Sequence, residues 1–313
     1  MTPVTRHKVR FPSGDTTCAA WHYPGENGGC VVMAGGTGVT KEPGTDRFAA
    51  RFQQAGFSVL GLDFRRLGES GGTPRQVIRV RDQLDDYSAA IAFARTLAEV
   101  DPHRIAVWGF SLAGGHVFRV AARHPDLAAA IAQTPLADGP AISPNAMRAM
   151  TPGAALKLQI RAVIDIVGRR LGRPPLLIPL AGPRGTVASL TTIDGAKGAA
   201  ALDPDNRYPG WEQTVAAGSA LRLGFYRPAR AASRIACPLL VMVLDNDRSV
   251  LTAPATSAAR KAPRGEVVRL PGDHYAPFME RHENAVDAQV AFLRTHLLSD
   301  APATSDTPSA ALA

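Results

Sequence analysis

Three residues far apart in the chain have the types and the order needed for nucleophilic acyl chemistry: Ser111, Asp247 and His274. A serine hydroxyl is a weak nucleophile at neutral pH. It needs an adjacent base, and the base needs an acid that fixes its tautomer. Ser111 lies in Gly109-Phe110-Ser111-Leu112-Ala113-Gly114-Gly115, between a short apolar run (105–108) and a helical pattern carried by Leu112, Val117, Val120 and Ala121. Small residues at i−2, i+2 and i+3 permit a turn sharp enough to strain the serine backbone and lift its hydroxyl clear of a sheet. Ala113 stands where the G-x-S-x-G pattern has its last glycine, and is small enough to serve. The same turn aims the Leu112 backbone N–H at a developing oxyanion. A second donor is expected from Gly35-Gly36-Thr37, where glycines let the backbone approach a bound ester; the Thr37 N–H is the candidate.

His274 follows a strand-like run (266–270), and Asp247 follows another (238–244), so both project to the strand ends that carry Ser111. The other histidines fit worse. His116 falls on the helix after the serine and reads as packing; His103 and His124 lie in connectors, His282 and His296 near the last helix, and His7 and His22 in the first hairpin. Asp245 competes with Asp247 for the acid position. Asp247 is preferred because it lies past the bend that ends the strand, while Asp245 could hold the turn through backbone N–H groups.

The elements that must position these residues read in order as a hairpin (4–10 with 16–23), a strand (30–34), a helix (46–55), a strand (57–62), a helix (77–98), the strand before Ser111, and a strand (127–133). Strands alternating with helices argue for an α/β fold with a doubly wound, mostly parallel sheet, whose C-terminal strand ends bind ligands. The rhythm breaks after Pro135. The domain reading is therefore a first core part at 1–137, a helical lid insertion at 138–225, a second core part at 226–299 and a disordered Ala/Pro/Ser/Thr-rich tail at 300–313. Within the insertion, Leu156, Ile160, Val163, Ile164, Val167 and Leu171 recur at helical spacing. This stripe is expected to pack on the core rather than line a pocket, and a second helical stretch is expected at 211–223.

Composition removes several classes. The 313 residues carry a net charge of +8, but the basic residues are scattered and no run of like charges appears, so no nucleic-acid partner is expected. No stretch approaches 18 apolar residues and the N-terminal residues lack an apolar leader, so no membrane partner and a cytoplasmic location are expected. Cys18, Cys30 and Cys237 show no C-x-x-C spacing and read as buried thiols; no metal and no cofactor are expected. Gly36-Thr37-Gly38 hints at a dinucleotide fingerprint, but Lys41 occupies its third glycine position, and there is no G-K-[ST]. The remaining alternative is a non-hydrolytic use of the same fold, as a lyase or ligand-binding module. Oligomeric state is not legible.

The chain resembles the α/β-hydrolase superfamily over about residues 15–298, through Gly35-Gly36, Asp63-x-Arg65-x-x-Gly68-x-Ser70, Gly109-x-Ser111-x-Ala113-Gly114, Asp245-x-Asp247 and Gly272-Asp273-His274. The order Ser111, Asp247, His274 is that of the family. It resembles most the bacterial serine hydrolases with a helical insertion. The resemblance implies hydrolysis of an ester, thioester or amide through an acyl-enzyme, without metal or cofactor; a small to medium apolar molecule is the expected substrate. Two positions depart from the pattern: Gly35 replaces the usual His, and Arg66 the usual Gly.

Overall fold

The computed structural model describes residues 4–298, so the tail expected at 300–313 lies outside the described residues. The elements are β1 (His7–Ser13), β2 (Thr16–Tyr23), β3 (Cys30–Ala34), α1 (Thr45–Gln54), β4 (Ser58–Leu62), α2 (Val80–Ala94), β5 (Ile105–Phe110), α3 (Leu112–Arg123) and β6 (Ala129–Gln133). After β6 come α4 (Gly139–Ala149), α5 (Pro152–Arg170), β7 (Leu177–Pro179), α6 (Gly198–Leu202), β8 (Thr214–Ala216) and α7 (Ala217–Leu223). The chain then returns through β9 (Leu239–Leu244), α8 (Thr252–Lys261), β10 (Gly265–Leu270) and α9 (His282–Leu297).

The main sheet has eight strands in the order β1-β2-β4-β3-β5-β6-β9-β10. β2 pairs antiparallel with both of its neighbours; the remaining pairings are parallel. Alternation along the central strands sends side chains to opposite faces. Met33, Trp108, Ile131 and Met242 join Phe48 and Phe52 of α1 and Phe292 of α9 in one apolar layer. Val32, Val107, Ala130 and Val241 join Leu84 of α2, Val117 of α3 and Ala258 of α8 in the other. The strands are apolar on both faces because both are covered, which is why they read as continuous runs rather than as alternation.

The segment 138–225 adds no strand to the main sheet. It holds four α-helices, a short 3-10 turn (Gly195–Lys197) and a small antiparallel sheet, β7 with β8, which the sequence reading did not foresee. The helix expected from residue 211 begins only at Ala217. The stripe on α5 faces outward: Leu156, Ile160, Ile164 and Val167 are each about half exposed, against the expectation that they pack on the core. The face turned inward consists of Ala154, Ala155, Ala162, Asp165 and Gly168. Small side chains let α5 approach α7 closely; the ideal Cβ position at Gly218 lies only 2.5 Å from Ile166 and 2.7 Å from Asp165. The helical period was right and the inward face was not. No helix among the described residues is long and apolar enough to cross a membrane.

Candidate active site

Ser111 stands between β5 and α3 with φ 55° and ψ −111°, a conformation that L-residues adopt only under constraint. The constraint is visible next to it. A Cβ on Gly109 would lie 2.3 Å from the Ala113 carbonyl oxygen, so no larger residue fits two positions before the serine. On the other side, a Cβ on Gly36 would lie 3.2 Å from the Ser111 Cβ, which shows how closely the 35–38 loop approaches.

The loops after β9 and β10 deliver the other two residues. His274 Nε2 lies 3.1 Å from Ser111 Oγ, and His274 Nδ1 lies 2.7 Å from Asp247 Oδ2. All three side chains are buried. Asp247 Oδ1 accepts the N–H groups of Ser249 (2.9 Å) and Val250 (2.8 Å), so one oxygen holds the turn while the other holds the histidine. Asp245 points elsewhere, to an exposed ion pair with Arg269 at 2.8 Å. Burial alone would depress the His274 pKa. The adjacent Asp247 carboxylate and its hydrogen bond, with Asp194 and Asp273, raise it above the ordinary value. His116 is buried and bonded to Tyr226 and Gln83; burial takes its pKa down to about 3, so it stays neutral and holds α3 in place.

The Leu112 N–H opens α3, where no intrahelical acceptor exists for it. Among the described residues neither it nor the Thr37 N–H has a hydrogen-bond partner, which leaves both available to an oxyanion. The 35–41 loop has Gly35 where the resemblance implies a His, and it is braced in other ways. Asp63 accepts from the Lys41 N–H at 2.7 Å and the Lys41 ammonium at 2.9 Å. From the insertion, the Trp211 indole N–H donates to the Gly38 carbonyl at 2.9 Å. The other departure, Arg66, takes φ 71°, the left-handed backbone that the family's glycine would adopt without strain.

Two residues of the site escaped the sequence reading, Trp211 and Asp194. Asp194 is 2% exposed although Ile193 beside it is 82% exposed. Its carboxylate accepts from the Arg248 N–H at 2.7 Å, the Ser249 N–H at 3.0 Å and the Ser249 hydroxyl at 2.9 Å, all in the turn that carries Asp247. The Asp194-Gly195 pair signals only a turn, so nothing local marks this residue as part of a site. A cavity of about 170 Å³ lies under the insertion. Ile142, Met147, Met150 and Leu221 line its apolar side, and Thr37 and Ser249 also form its wall. That lining contains no Asp or Glu.

A family model described as "Serine aminopeptidase, S33" (Hydrolase_4) matches residues 26–272. The chain is similar to the quorum-quenching protein AidA of Acinetobacter baumannii (strain MDR-ZJ06), with 37% identity over 291 residues, covering 91% of this chain and 93% of that protein. It is also similar to a thiohydrolase of Eupenicillium brefeldianum, at 31% identity over 58% of this chain and 56% of the relative. Among solved structures, the α/β hydrolase GrgF from Penicillium sp. sh18 superposes with a TM-score of 0.77 over 94% of this chain and all of that one; at 24% identity this bears on the fold alone.

Proposed function

The chain belongs to the S33 serine aminopeptidase family of α/β hydrolases and is a hydrolase; on that premise we propose that it cleaves an acyl ester or thioester through an acyl-enzyme on Ser111. The observation that carries this is His274, buried and bonded through one ring nitrogen to Ser111 and through the other to Asp247. With Nδ1–H donated to Asp247, the neutral Nε2 takes the Ser111 proton as Oγ attacks the acyl carbon. The negative charge that develops on the acyl oxygen falls to the Thr37 and Leu112 N–H groups. His274 then gives the proton to the leaving alcohol or thiol, and water repeats the sequence in reverse to free the acid.

The cavity favours an apolar acyl group. A free α-ammonium would call for a carboxylate in the wall, and the absence of one argues against an amino-terminal peptide as substrate. A cavity of about 170 Å³ is comparable to one of ~150 Å³ that accepts benzene, so an acyl chain of about six carbons fits inside it. The relative called a thiohydrolase supports including thioesters. The substrate is thus a small molecule rather than a macromolecule. The three buried cysteines, all unpaired, are compatible with a reducing cytoplasm.

The test is labelling with a fluorophosphonate, located by mass spectrometry, followed by turnover of acyl esters and thioesters of graded length. Labelling at Ser111 with turnover peaking at medium chains is expected. Full turnover in a folded Ser111→Ala protein overturns the reading.

A further inference from the structure

We propose that Asp194, supplied by the insertion, is a positioning residue for the His274–Asp247 pair: it fixes the 247–250 turn and adds a second buried carboxylate to the electrostatic surroundings of His274. This rests on the serine-hydrolase reading above. Asp247 has a single protein segment behind it, the turn whose Ser249 and Val250 N–H groups it accepts. Asp194 grips the same turn from the other side, at the Arg248 and Ser249 N–H groups and at the Ser249 hydroxyl. The Ser249 N–H is shared by both carboxylates, at 2.9 Å from Asp247 and 3.0 Å from Asp194. Thr192 completes the arrangement: its hydroxyl lies 2.9 Å from the Ser249 hydroxyl, and the Gly195 N–H donates both to it and to Asp194.

These contacts bind two segments 55 residues apart in sequence. Two buried carboxylates converging on one turn repel each other; N–H and hydroxyl donors offset the charge at rest, and a cation offsets it further. The turn supplies the donors, and His274 supplies the cation each time it takes the serine proton. Burial by itself would raise the Asp194 carboxyl; the Arg248 N–H, the neighbouring hydroxyls and the proximity of His274 instead hold it below the ordinary carboxylate range, so it stays charged. Asp194 thereby does what the triad acid does, at one remove: it favours the imidazolium that forms during the reaction.

The groups around His274 that bear on its titration are Asp247 after β9, Asp194 from the insertion and Asp273 in its own loop; Tyr275 meets the imidazole edge-on. Asp273 is partly exposed and paired with Lys197 at 3.3 Å, which leaves Asp247 and Asp194 as the buried charges. The sign follows. His274 must be neutral to accept a proton, and the carboxylates raise its pKa, so activity is lost on the acid side at a pH above the ordinary histidine value. Removing one of those charges makes His274 easier to deprotonate, and the acid limb moves to lower pH.

The experiment compares kcat and kcat/KM against pH for the intact protein, Asp194→Asn, Ser249→Ala and Ser111→Ala on one medium-chain acyl ester. Asp194→Asn keeps the size, loses the charge and turns one of the two accepting oxygens into a donor. It is expected to lower kcat about tenfold with a smaller change in KM and to shift the acid limb of kcat/KM to lower pH. Ser249→Ala loses the hydroxyl contacts to Asp194 and Thr192 and keeps the charge, so kcat falls about two- to fivefold and the limb stays in place. A folded Asp194→Asn whose acid limb coincides with that of the intact protein overturns the proposal, because a merely structural role would lower stability without moving that limb. If Asp194→Asn fails to fold, Ser249→Ala decides: unchanged kcat overturns the proposal and reduced kcat supports it. Ser111→Ala separates the two ideas. Retained turnover there removes the serine-hydrolase reading itself, whereas lost turnover there with an unshifted limb in Asp194→Asn removes only the role of Asp194.

Discussion

The sheet core and the 138–225 insertion are held together by different means. In the core, large side chains fill two continuous layers: Trp108, Phe48, Phe52 and Phe278 on one side of the sheet, Phe64, Tyr87 and Phe118 on the other. The insertion sends Ile178, Leu180, Leu202, Trp211, Val215 and Leu223 into the first of these layers and turns many other large side chains outward. Its organising groups are three buried aspartates. Asp165 accepts the Leu176 and Gly218 N–H groups and pairs with Arg169; Asp203 accepts the Arg207 and Tyr208 N–H groups; Asp194 holds the acid turn. Hydrophobic burial acts over area and tolerates small shifts, whereas a buried carboxylate is satisfied only in one geometry. The core is therefore held chiefly by apolar area, and the insertion, its roof, by the apolar contact it shares with that core together with a few directional hydrogen bonds.

The sharpest break in that comparison comes from the core. Ser111→Ala is expected to abolish fluorophosphonate labelling and lower ester turnover at least about a thousandfold, with the thermal transition preserved. Next comes the acid. Asp247→Asn leaves His274 in the wrong tautomer and is expected to cost about four orders of magnitude in kcat. Because Asp247 also holds its turn, it carries a stability loss of about 1 kcal/mol, measurable by denaturant titration. Asp245→Asn removes only an exposed ion pair, worth about 0.2–1 kcal/mol, and should leave kcat unchanged. An inactive Asp245→Asn protein would mean that the acid loop is misread by two residues.

The insertion is expected to respond differently. Asp165→Ala leaves the Leu176 and Gly218 N–H groups and the Arg169 guanidinium without their acceptor, a loss of about 1–3 kcal/mol. Hydrogen exchange should rise in α5 and α7 while β3, β5 and β6 keep their protection. Uniform loss of protection across the sheet would show that roof and core form one cooperative unit, and the comparison would fail.

How far each region could be read from sequence follows from the same difference. The sheet was legible because apolar runs between glycine-rich turns have no other good interpretation, and because Ser111, Asp247 and His274 each follow such a run. The hairpin, the strands and the flanking helices fall within a few residues of expectation; α2 starts later, at Val80, and β1 extends on to Ser13. The insertion was legible as a helical departure from the βα rhythm, but not in detail. β7 and β8 are three residues each, too short to show a period. Asp194 and Trp211 act through loops, where only the folded chain shows what they reach. The inward face of α5 is mostly alanine and glycine, with Asp165 and the part-buried Leu158, and small residues leave no mark on a hydrophobic pattern.

That last point gives the smallest expected effect and the finest test. α5 carries two sets of apolar residues. Leu158 and Ala162 line the cavity, while Ile160 and Ile164 face solvent. An exposed apolar side chain adds little to the fold, so Ile160→Gln should change stability by no more than about 0.5 kcal/mol and leave the ranking of acyl chain lengths as it was. On the proposed reading, in which this cavity takes the acyl group, Leu158→Ala removes wall and frees volume beside that group. It should shift the preference toward chains longer by about one or two carbons, each buried CH₂ being worth about 0.8 kcal/mol, or a few-fold in kcat/KM. The two residues sit two positions apart on one helix, so a general loosening of α5 would affect both alike. Selectivity that moves with Leu158 and not with Ile160 ties substrate length to the inward face. Selectivity that moves with Ile160 would mean that the outward stripe meets the substrate, and the division between a packed core and a carboxylate-hung roof would have to be redrawn around it.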